Sequence, residues 1–236
     1  MRYVIPPAVP ASLAVAGTED RFAVNRIFCV GRNYAAHARE MGKDPTRELP
    51  FFFMKPASAA VDASIGEVFI PYPPKTANFH HEIELVVAIG LGGANIAVEA
   101  ALGHVFGYAV GLDMTRRDLQ FEARDKGRPW EFGKSFAYSA PIGALRTVAQ
   151  VGHLADGEIQ LAVNGVTRQR SQISKLIWSV AESIAYLSEY DALMPGDVVM
   201  TGTPEGVGAV LPGDILVGTV EGLGEITVRI AGSTSG

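Results

Sequence analysis

The sequence has only one cysteine, Cys29, among 236 residues. A single cysteine can form neither an internal disulfide nor a zinc site built from several thiolates. The first residues, 1–7, also lack the hydrophobic stretch of a secretory signal peptide. Both absences predict a protein of the reducing cytoplasm.

Long hydrophobic runs and an excess of positive charge are missing as well. The most apolar segment, residues 85–103, is interrupted by glycines, Asn95 and Glu99, so it falls short of the ~20 apolar residues that a membrane-spanning helix needs. The formal net charge is −5, which argues against a nucleic-acid partner. We therefore expect no membrane and no nucleic-acid partner.

The composition that remains is that of a globular protein. Apolar residues make up 48% of the chain, enough for a sizeable core. Residues 1–25 are rich in proline and alanine and predict a short lead-in, partly strand. Residues 26–231 predict one large domain, and residues 232–236 a flexible tail.

The segment 80–89 is the most informative stretch of the chain. Its apolar and β-branched residues predict a strand that ends at Gly90. Side chains alternate along a strand, so Glu82 and Glu84 share a face with Val86 and Ala88. Two half-buried carboxylates side by side favour a hard divalent cation, Mg²⁺, Mn²⁺ or Ca²⁺, over zinc. The alternative is a solvated strand end with two surface glutamates.

A second pair of polar residues lies on a predicted short helix, residues 35–41. His37 and Glu40 are three residues apart and therefore share a helix face. A carboxylate beside an imidazole makes it a better base, as the activation of water requires. The alternative is an ordinary surface ion pair.

Asp113 ends a predicted apolar strand, 105–112, and precedes a predicted helix, 116–126, for which Thr115 is the expected N-cap. A carboxylate at this turn could be a third metal ligand beside Glu82 and Glu84, or simply a turn residue. Arg117 and Gln120, three residues apart, could face the same cleft.

Two further segments each allow a functional and a purely structural interpretation. Lys134 could be a surface lysine or a buried cation that opposes an oxyanion. The glycine-rich loop 202–208 lacks the ending of a phosphate-binding P-loop. Its N–H groups and Thr203 could bind a substrate carboxylate, or the loop could be only a tight connection.

The remaining periodicity predicts mostly strands. Asn164-Gly165 predicts a two-residue hairpin, and Ser174 is the expected cap of an amphipathic core helix. Residues 56–79 are expected to be a surface connection. Buried strands are predicted at residues 27–30 and 51–54, and further strands at residues 159–163, 198–200, 215–217 and 225–230.

Taken together, these segments resemble the fumarylacetoacetate hydrolase family, in the family's order and from about residue 26 to about residue 230. Among its members, the likeness is greatest to bacterial enzymes that act on fumarylpyruvate in the gentisate route. The matching stretches are residues 29–34 with His37 and Glu40, the His-His-Glu-x-Glu strand 80–84, residues 107–120, Gly133-Lys134-Ser135-Phe136 and residues 201–208.

The resemblance implies an α+β, mainly β fold, a fumarylacetoacetate hydrolase-like mixed β-roll with short peripheral helices, in a homodimer. It implies Mg²⁺ or Mn²⁺ on Glu82, Glu84 and Asp113. It also implies a role for three catalytic residues, with His37 and Glu40 activating water and Lys134 stabilising an oxyanion. Substrate contacts are implied for Arg117, Gln120 and Thr203. For the distal carboxylate the candidates are Arg32, Arg39 and Arg116, because the guanidinium fork suits a carboxylate.

The implied reaction is metal-dependent hydrolysis of a C–C bond in a small 1,3-diketo acid, with fumarylpyruvate giving fumarate and pyruvate in aromatic degradation. The same site could instead serve oxaloacetate decarboxylation, acylpyruvate cleavage or 2-oxo acid tautomerisation. A carboxylate-binding protein without turnover would not need His37 and Glu40. A purely structural β-protein would not need Asp113 and Lys134 near one cleft.

Overall fold

The structure, a computed structural model, describes residues 2–35 and 48–232. The predicted helix at 35–41, with His37, Arg39 and Glu40, lies outside these residues except for Ala35, and the predicted tail lies outside them except for Gly232. Within the described ranges the strands are β1 (Ser12–Ala14), β2 (Arg21–Ala23), β3 (Ile27–Gly31), β4 (Phe51–Lys55), β5 (Ala60–Asp62), β6 (Glu67–Pro71), β7 (Phe79–His81), β8 (Ile83–Ile89), β9 (Val105–Leu112), β10 (Thr115–Arg116), β11 (Ala140–Ile142), β12 (Arg146–Thr147), β13 (Glu158–Val163), β14 (Val166–Gln172), β15 (Val198–Met200), β16 (Gly208–Ala209), β17 (Ile215–Val220) and β18 (Gly224–Ala231).

The helices are short and lie between strands. In the same described ranges the α-helices are α1 (Val98–Ala101), α2 (Arg117–Asp125), α3 (Glu131–Lys134), α4 (Val148–Val151) and α5 (Val180–Tyr190). Single 3₁₀ turns occur at Ala57–Ala59, Leu102–His104 and Ile173–Lys175. None of the helices in the described part of the chain has the length and apolar character that a membrane crossing requires.

Two large sheets form the body of the molecule. The first has the strand order β4-β3-β15-β8-β9-β11-β5, with β12 beside β9, and the second has the order β14-β13-β17-β18-β6. Antiparallel pairs predominate, but β3–β15, β5–β11 and β6–β18 are parallel. A small sheet, β10-β7-β16, lies beside them. The predicted mainly β fold with peripheral helices is confirmed.

Strand β8 is buried on both faces, and its alternation separates two apolar cores. Ile83, Leu85, Val87 and Ile89 belong to the larger core, which includes residues of the second sheet and of α5. Val86 and Ala88, on the opposite face, belong to a smaller core that includes Leu13 of the N-terminal hairpin β1–β2. The face that carries Glu84 is therefore apolar beyond the glutamate, as the period of two predicts.

Two predicted helix caps are wrong. Thr115 does not cap α2, because it lies in β10 and pairs with His80 of β7. Its hydroxyl donates to the main-chain oxygen of Asp113 over 3.1 Å. The long core helix begins at Val180, and Ser179 is its N-cap in a capping box with Glu182. Ser174 lies upstream, in a 3₁₀ turn.

Two predictions about the segment 51–79 also need correction. The strand at 51–54 is real but half-exposed, and Met54 is 44% exposed, because β4 is the edge strand of its sheet. Residues 56–79 are not a plain surface connection. They form β5 and β6, which pair in parallel with β11 and β18, and such non-local pairings leave little local signal.

Candidate active site

Three carboxylates converge where β8 and β9 lie side by side. The predicted strand 80–89 is interrupted at Glu82, between β7 and β8, while Glu84 lies within β8. The antiparallel register places Glu84 opposite Gly111. It also places Asp113 beside Glu82, whose main-chain oxygen accepts from the Asp113 N–H over 2.9 Å. One oxygen from each carboxylate lies within 4.8 Å of the others.

These carboxylates are nearly inaccessible to water. Glu82 is 5% exposed, Glu84 2% and Asp113 0%, so the alternative of solvated surface glutamates does not hold. Burial, together with the charges of Asp113 and Glu82, raises the pKa of Glu84 well above its ordinary value. The main-chain N–H of Gly202 opposes this effect by donating to Glu84 Oε2 over 2.8 Å.

Buried cations lie directly against the carboxylates. Lys134 Nζ is 2.6 Å from Asp113 Oδ2 and 2.9 Å from Glu82 Oε2, and Arg117 donates to Glu82 Oε1. Burial lowers the pKa of Lys134, but the charges of Asp113 and Glu82 outweigh burial, so the net shift is upward. Lys134 is thus a buried and charged lysine, not a surface one.

A third buried cation, Lys55, was not expected from the sequence. It ends β4, is 1% exposed, and its Nζ lies 2.8 Å from Asp113 Oδ1. The same ammonium donates to Ser139 Oγ over 3.1 Å, to the Met114 oxygen over 3.3 Å and to the Lys134 oxygen. Its only sequence signal is its position, a lysine directly after four apolar strand residues.

A cavity opens onto this cluster. Its lining combines aromatic side chains with charged ones, a combination found in small-molecule sites. The sequence candidates that line it are Arg32, Glu82, Glu84, Asp113, Arg117, Gln120, Lys134 and Thr203. Its other described lining residues are Val30, Gly31, Phe53, Phe121, Arg124 and Trp130.

Helix α2 brings two of these side chains to the cavity. Arg117 and Gln120 lie three residues apart on its buried face, 2% and 5% exposed. Arg117 Nη1 donates to Gln120 Oε1 over 2.5 Å. Because Oε1 of Gln120 accepts this hydrogen bond, the NH₂ group is the part of the amide that can donate. Gly133 lets α3 approach, since a Cβ there would lie 2.8 Å from the Gln120 main-chain nitrogen.

The arginine candidates from the sequence lie in different surroundings in the structure. Arg32 lines the cavity, with its guanidinium 5.2 Å from the centre of the Phe51 ring. Arg116 is not among the described lining residues. Its guanidinium lies 4.3 Å from the Phe136 ring and donates to the Phe132 oxygen. Arg124, one turn after Gln120 on α2, lines the cavity and was missed by the sequence reasoning.

Thr203 lies in the glycine-rich loop and is 3% exposed. Its Oγ1 accepts from Gln169 Nε2 of β14 over 2.8 Å. Sequence reasoning also missed Gln169, because its only local signal is a polar residue on the inward side of a mostly polar strand.

The donor set fits a hard divalent cation. Three carboxylates supply only oxygen atoms, which is the ligand type of Mg²⁺, Mn²⁺ and Ca²⁺. Burial raises the pKa of Glu84, and repulsion by the charges of Asp113 and Glu82 raises it further; a bound divalent cation would relieve that repulsion. Among the described residues, this is the one group of three or more acidic, His or Cys side chains with the spacing of a metal site.

Comparison with known proteins gives a consistent result. The family model described as fumarylacetoacetate (FAA) hydrolase C-terminal matches residues 26–231. A fumarylpyruvate hydrolase of Ralstonia sp. is 46% identical over 187 residues, 79% of this chain and 95% of that protein. The crystal structure of fumarylpyruvate hydrolase from Pseudomonas aeruginosa, in complex with Mn²⁺ and pyruvate, has a TM-score of 0.93. That enzyme is 56% identical to this chain, and the match covers 98% of this chain and 99% of the P. aeruginosa chain. A mitochondrial oxaloacetate tautomerase FAHD1 of Homo sapiens is 40% identical over 204 residues, 86% of this chain and 90% of that protein.

Proposed function

The chain belongs to the fumarylacetoacetate hydrolase family, and from that premise we propose that it hydrolyses a C–C bond of a 1,3-diketo acid in a metal-dependent reaction. The substrate we propose is fumarylpyruvate, which yields fumarate and pyruvate. The observation that carries this proposal is the buried cluster of three carboxylates that lines a cavity, with Lys134 and Arg117 against it. The named activity of relatives at 46% and 56% identity supports the choice of substrate.

Glu82, Glu84 and Asp113 would hold the ion, Mg²⁺ or Mn²⁺ by preference, with Ca²⁺ also suited to the ligands. The Mn²⁺ in the P. aeruginosa structure supports this assignment. When bound, the ion supplies Lewis acidity toward the oxygen atoms of an α-keto acid. The α-keto carboxylate would extend toward the donors of the loop at Thr203, which lines the same cavity.

The residues of this chain would then carry the proton and charge transfers. We propose that His37, held by Glu40, takes a proton from water while the water oxygen bonds to the distal ketone carbon. Lys134 Nζ and the NH₂ group of Gln120 would donate to the oxyanion formed there. As the C–C bond breaks, fumarate leaves, and the imidazolium of His37 returns its proton to the pyruvate carbon.

The distal carboxylate of fumarylpyruvate needs a cation of its own. Arg32 and Arg124 line the cavity, and a guanidinium group suits a carboxylate. We assign this role to Arg32 and Arg124 and keep Arg39 as a candidate from the sequence. Arg116, engaged with Phe136 and Phe132, is a weaker choice than the sequence suggested.

A second candidate function is chemistry on oxaloacetate. The 40% identity to the human oxaloacetate tautomerase favours it, because an α-keto acid bound at the same carboxylates could be tautomerised or decarboxylated without attack by water. Acylpyruvate cleavage is a further alternative within the same site.

The test is an absorbance assay on fumarylpyruvate with Mg²⁺ or Mn²⁺, an EDTA control, and fumarate and pyruvate quantified at the end. We expect metal-dependent loss of the diketone with one fumarate formed per pyruvate. Turnover of oxaloacetate with no loss of fumarylpyruvate would select the second candidate.

We further propose that the protein is a cytoplasmic homodimer that works in the breakdown of aromatic compounds. The single cysteine supports the reducing compartment, and the fumarylpyruvate hydrolase relatives support the pathway. Light scattering coupled to gel filtration tests the dimer, for which a mass near 50 kDa is expected, about twice the 25.1 kDa chain.

A further inference from the structure

Gln169 is not among the described residues that line the cavity, yet it connects two of the segments that form the site. It projects inward from β14 and is 1% exposed. The pairing of β14 with β13 shifts register beside it, between Leu161 and Ala162, and such an irregularity re-aims neighbouring side chains.

The glycine-rich loop approaches β14 closely at this point. A Cβ on Gly206 would lie 2.1 Å from the Arg168 oxygen, and Gly206 also has a φ of +88°. Only glycine tolerates both conditions. The loop therefore rests directly against the strand that presents Gln169.

The amide of Gln169 makes four close contacts, two at each end. Its Oε1 accepts from the Ile83 N–H over 3.1 Å and lies 3.0 Å from His81 Nδ1. Its Nε2 donates to the Pro204 oxygen over 2.9 Å and to Thr203 Oγ1 over 2.8 Å. The residue thus bridges the strand segment around Glu82 and the loop that carries Thr203.

Two main-chain groups determine which way this amide points. The Ile83 N–H can only donate and the Pro204 carbonyl can only accept, so Oε1 must face Ile83 and Nε2 must face Pro204. The second N–H of the amide then requires Thr203 Oγ1 to be an acceptor. A threonine hydroxyl that accepts in this way keeps its own proton for a donor role, and Thr203 lines the cavity.

We propose that Gln169 is a positioning residue that sets the hydrogen-bond polarity of Thr203, so that the Thr203 hydroxyl donates to the carboxylate of a bound α-keto acid. The inference rests on the proposed function for the ligand class and adds a residue to it. Gln169 itself does not line the cavity among the described residues, so its effect passes through Thr203.

The test compares Gln169→Glu with Gln169→Met in the Mn²⁺-loaded protein, with pyruvate as the probe and calorimetric Kd as the readout. Glutamate keeps the acceptor for Ile83 but cannot donate, so Thr203 must turn its proton toward it. We expect the pyruvate Kd to rise about tenfold to a hundredfold, as for loss of a hydrogen bond to a charged group. Methionine loses all four contacts but leaves the Thr203 proton available, so we expect a rise of about threefold or less.

A merely structural role for Gln169 predicts the opposite order, because methionine removes more contacts than glutamate does. The proposal would be overturned if Gln169→Met weakened pyruvate binding as much as Gln169→Glu does, or more. In the Thr203→Val background, Gln169→Glu should change the Kd by less than about twofold. An unchanged effect there would show that the new negative charge acts directly, which also overturns it.

Two controls complete the experiment. Gln160→Glu makes the same change on the adjacent strand β13, opposite Arg170, and should leave the pyruvate Kd unchanged. Thermal unfolding shows whether Gln169→Glu folds. If it does not, Gln169→Met is compared with Thr203→Val, and equal losses of pyruvate affinity in these two variants overturn the proposal. Because pyruvate binding needs no turnover, failure of the proposed hydrolysis and failure of this inference are separate results.

Discussion

Lys55 offers the sharpest test of how the site is held together. It is a fully buried lysine whose Nζ lies 2.8 Å from a fully buried carboxylate, Asp113. The Lys55→Met substitution keeps the volume and the apolar stem of the side chain but removes the charge. Asp113 would retain Lys134, 2.6 Å away, and the main-chain oxygens of Met114 and Lys134 would each lose a donor.

Removal of one partner from a buried ion pair typically costs ~3–5 kcal/mol, because the other charge stays buried. For a chain of this size each kcal/mol lowers the melting temperature by about 2–4 °C. We therefore expect Lys55→Met to melt roughly 6–20 °C below the wild type in EDTA. Added Mn²⁺ should recover part of the loss, since the ion supplies positive charge beside Asp113.

The matched control is Lys126→Met. Lys126 Nζ lies 2.6 Å from Glu122, a shorter distance than in the buried pair, but both side chains are about half-exposed. Water screens such a pair, so no measurable change in melting temperature is expected. Calorimetry or a dye-based thermal shift in EDTA and in Mn²⁺ gives the answer. A Lys55→Met protein that melts within about 2 °C of the wild type in EDTA would refute the reasoning.

Further predictions concern the reaction and the pH response. His37→Ala should lower turnover of fumarylpyruvate by about 10²–10⁴-fold while Mn²⁺ affinity stays near the wild-type value, and unchanged turnover would remove His37 as the base. Glu82→Ala should abolish both Mn²⁺ binding by calorimetry and turnover, and full activity would contradict the ligand assignment. Burial raises the pKa of Asp118, but hydrogen bonds from Thr76, Ala77 and Leu119 outweigh it, and the net shift is downward. A carboxyl group whose pKa is lower in the folded than in the unfolded protein stabilises the fold at pH values above its unfolded-state pKa, ~3.9. This stabilisation is lost as the pH falls through the folded-state pKa. The melting-temperature deficit of Asp118→Asn should therefore be present at neutral pH and vanish once the pH falls below the folded-state pKa of Asp118, whereas a deficit that persists in strong acid would contradict this account.

The part of the site that sequence could predict is the part with strict local periodicity. Glu82 and Glu84 are two residues apart in an extended segment, so a shared face follows from strand geometry alone. The break between β7 and β8 at Glu82 did not follow, because β7 pairs with β10 and β16 in a separate small sheet. Non-local pairing decides that break, and no local pattern encodes it.

The residues that sequence reasoning missed have no local periodicity that marks them. Lys55 meets Asp113 from the far edge of its sheet, across three intervening strands, and Gln169 reaches the site from the second sheet. Their residue types are ordinarily exposed, so burial alone marks them as unusual, and burial is a tertiary property. The Thr115 cap failed for a related reason, since pairing with β7 overrode the local capping signal.

The described part of the cavity supplies binding and charge stabilisation but no imidazole. Its acids face buried cations or the Gly202 N–H, and Lys134, whose pKa is raised, remains protonated. A charged lysine can stabilise an oxyanion but cannot take a proton from water. If the base is His37, pyruvate binding and hydrolysis should separate in His37→Ala, which would bind pyruvate with wild-type affinity but hydrolyse fumarylpyruvate about 10²–10⁴-fold more slowly. A His37→Ala protein that loses pyruvate binding together with hydrolysis would place His37 among the binding residues instead.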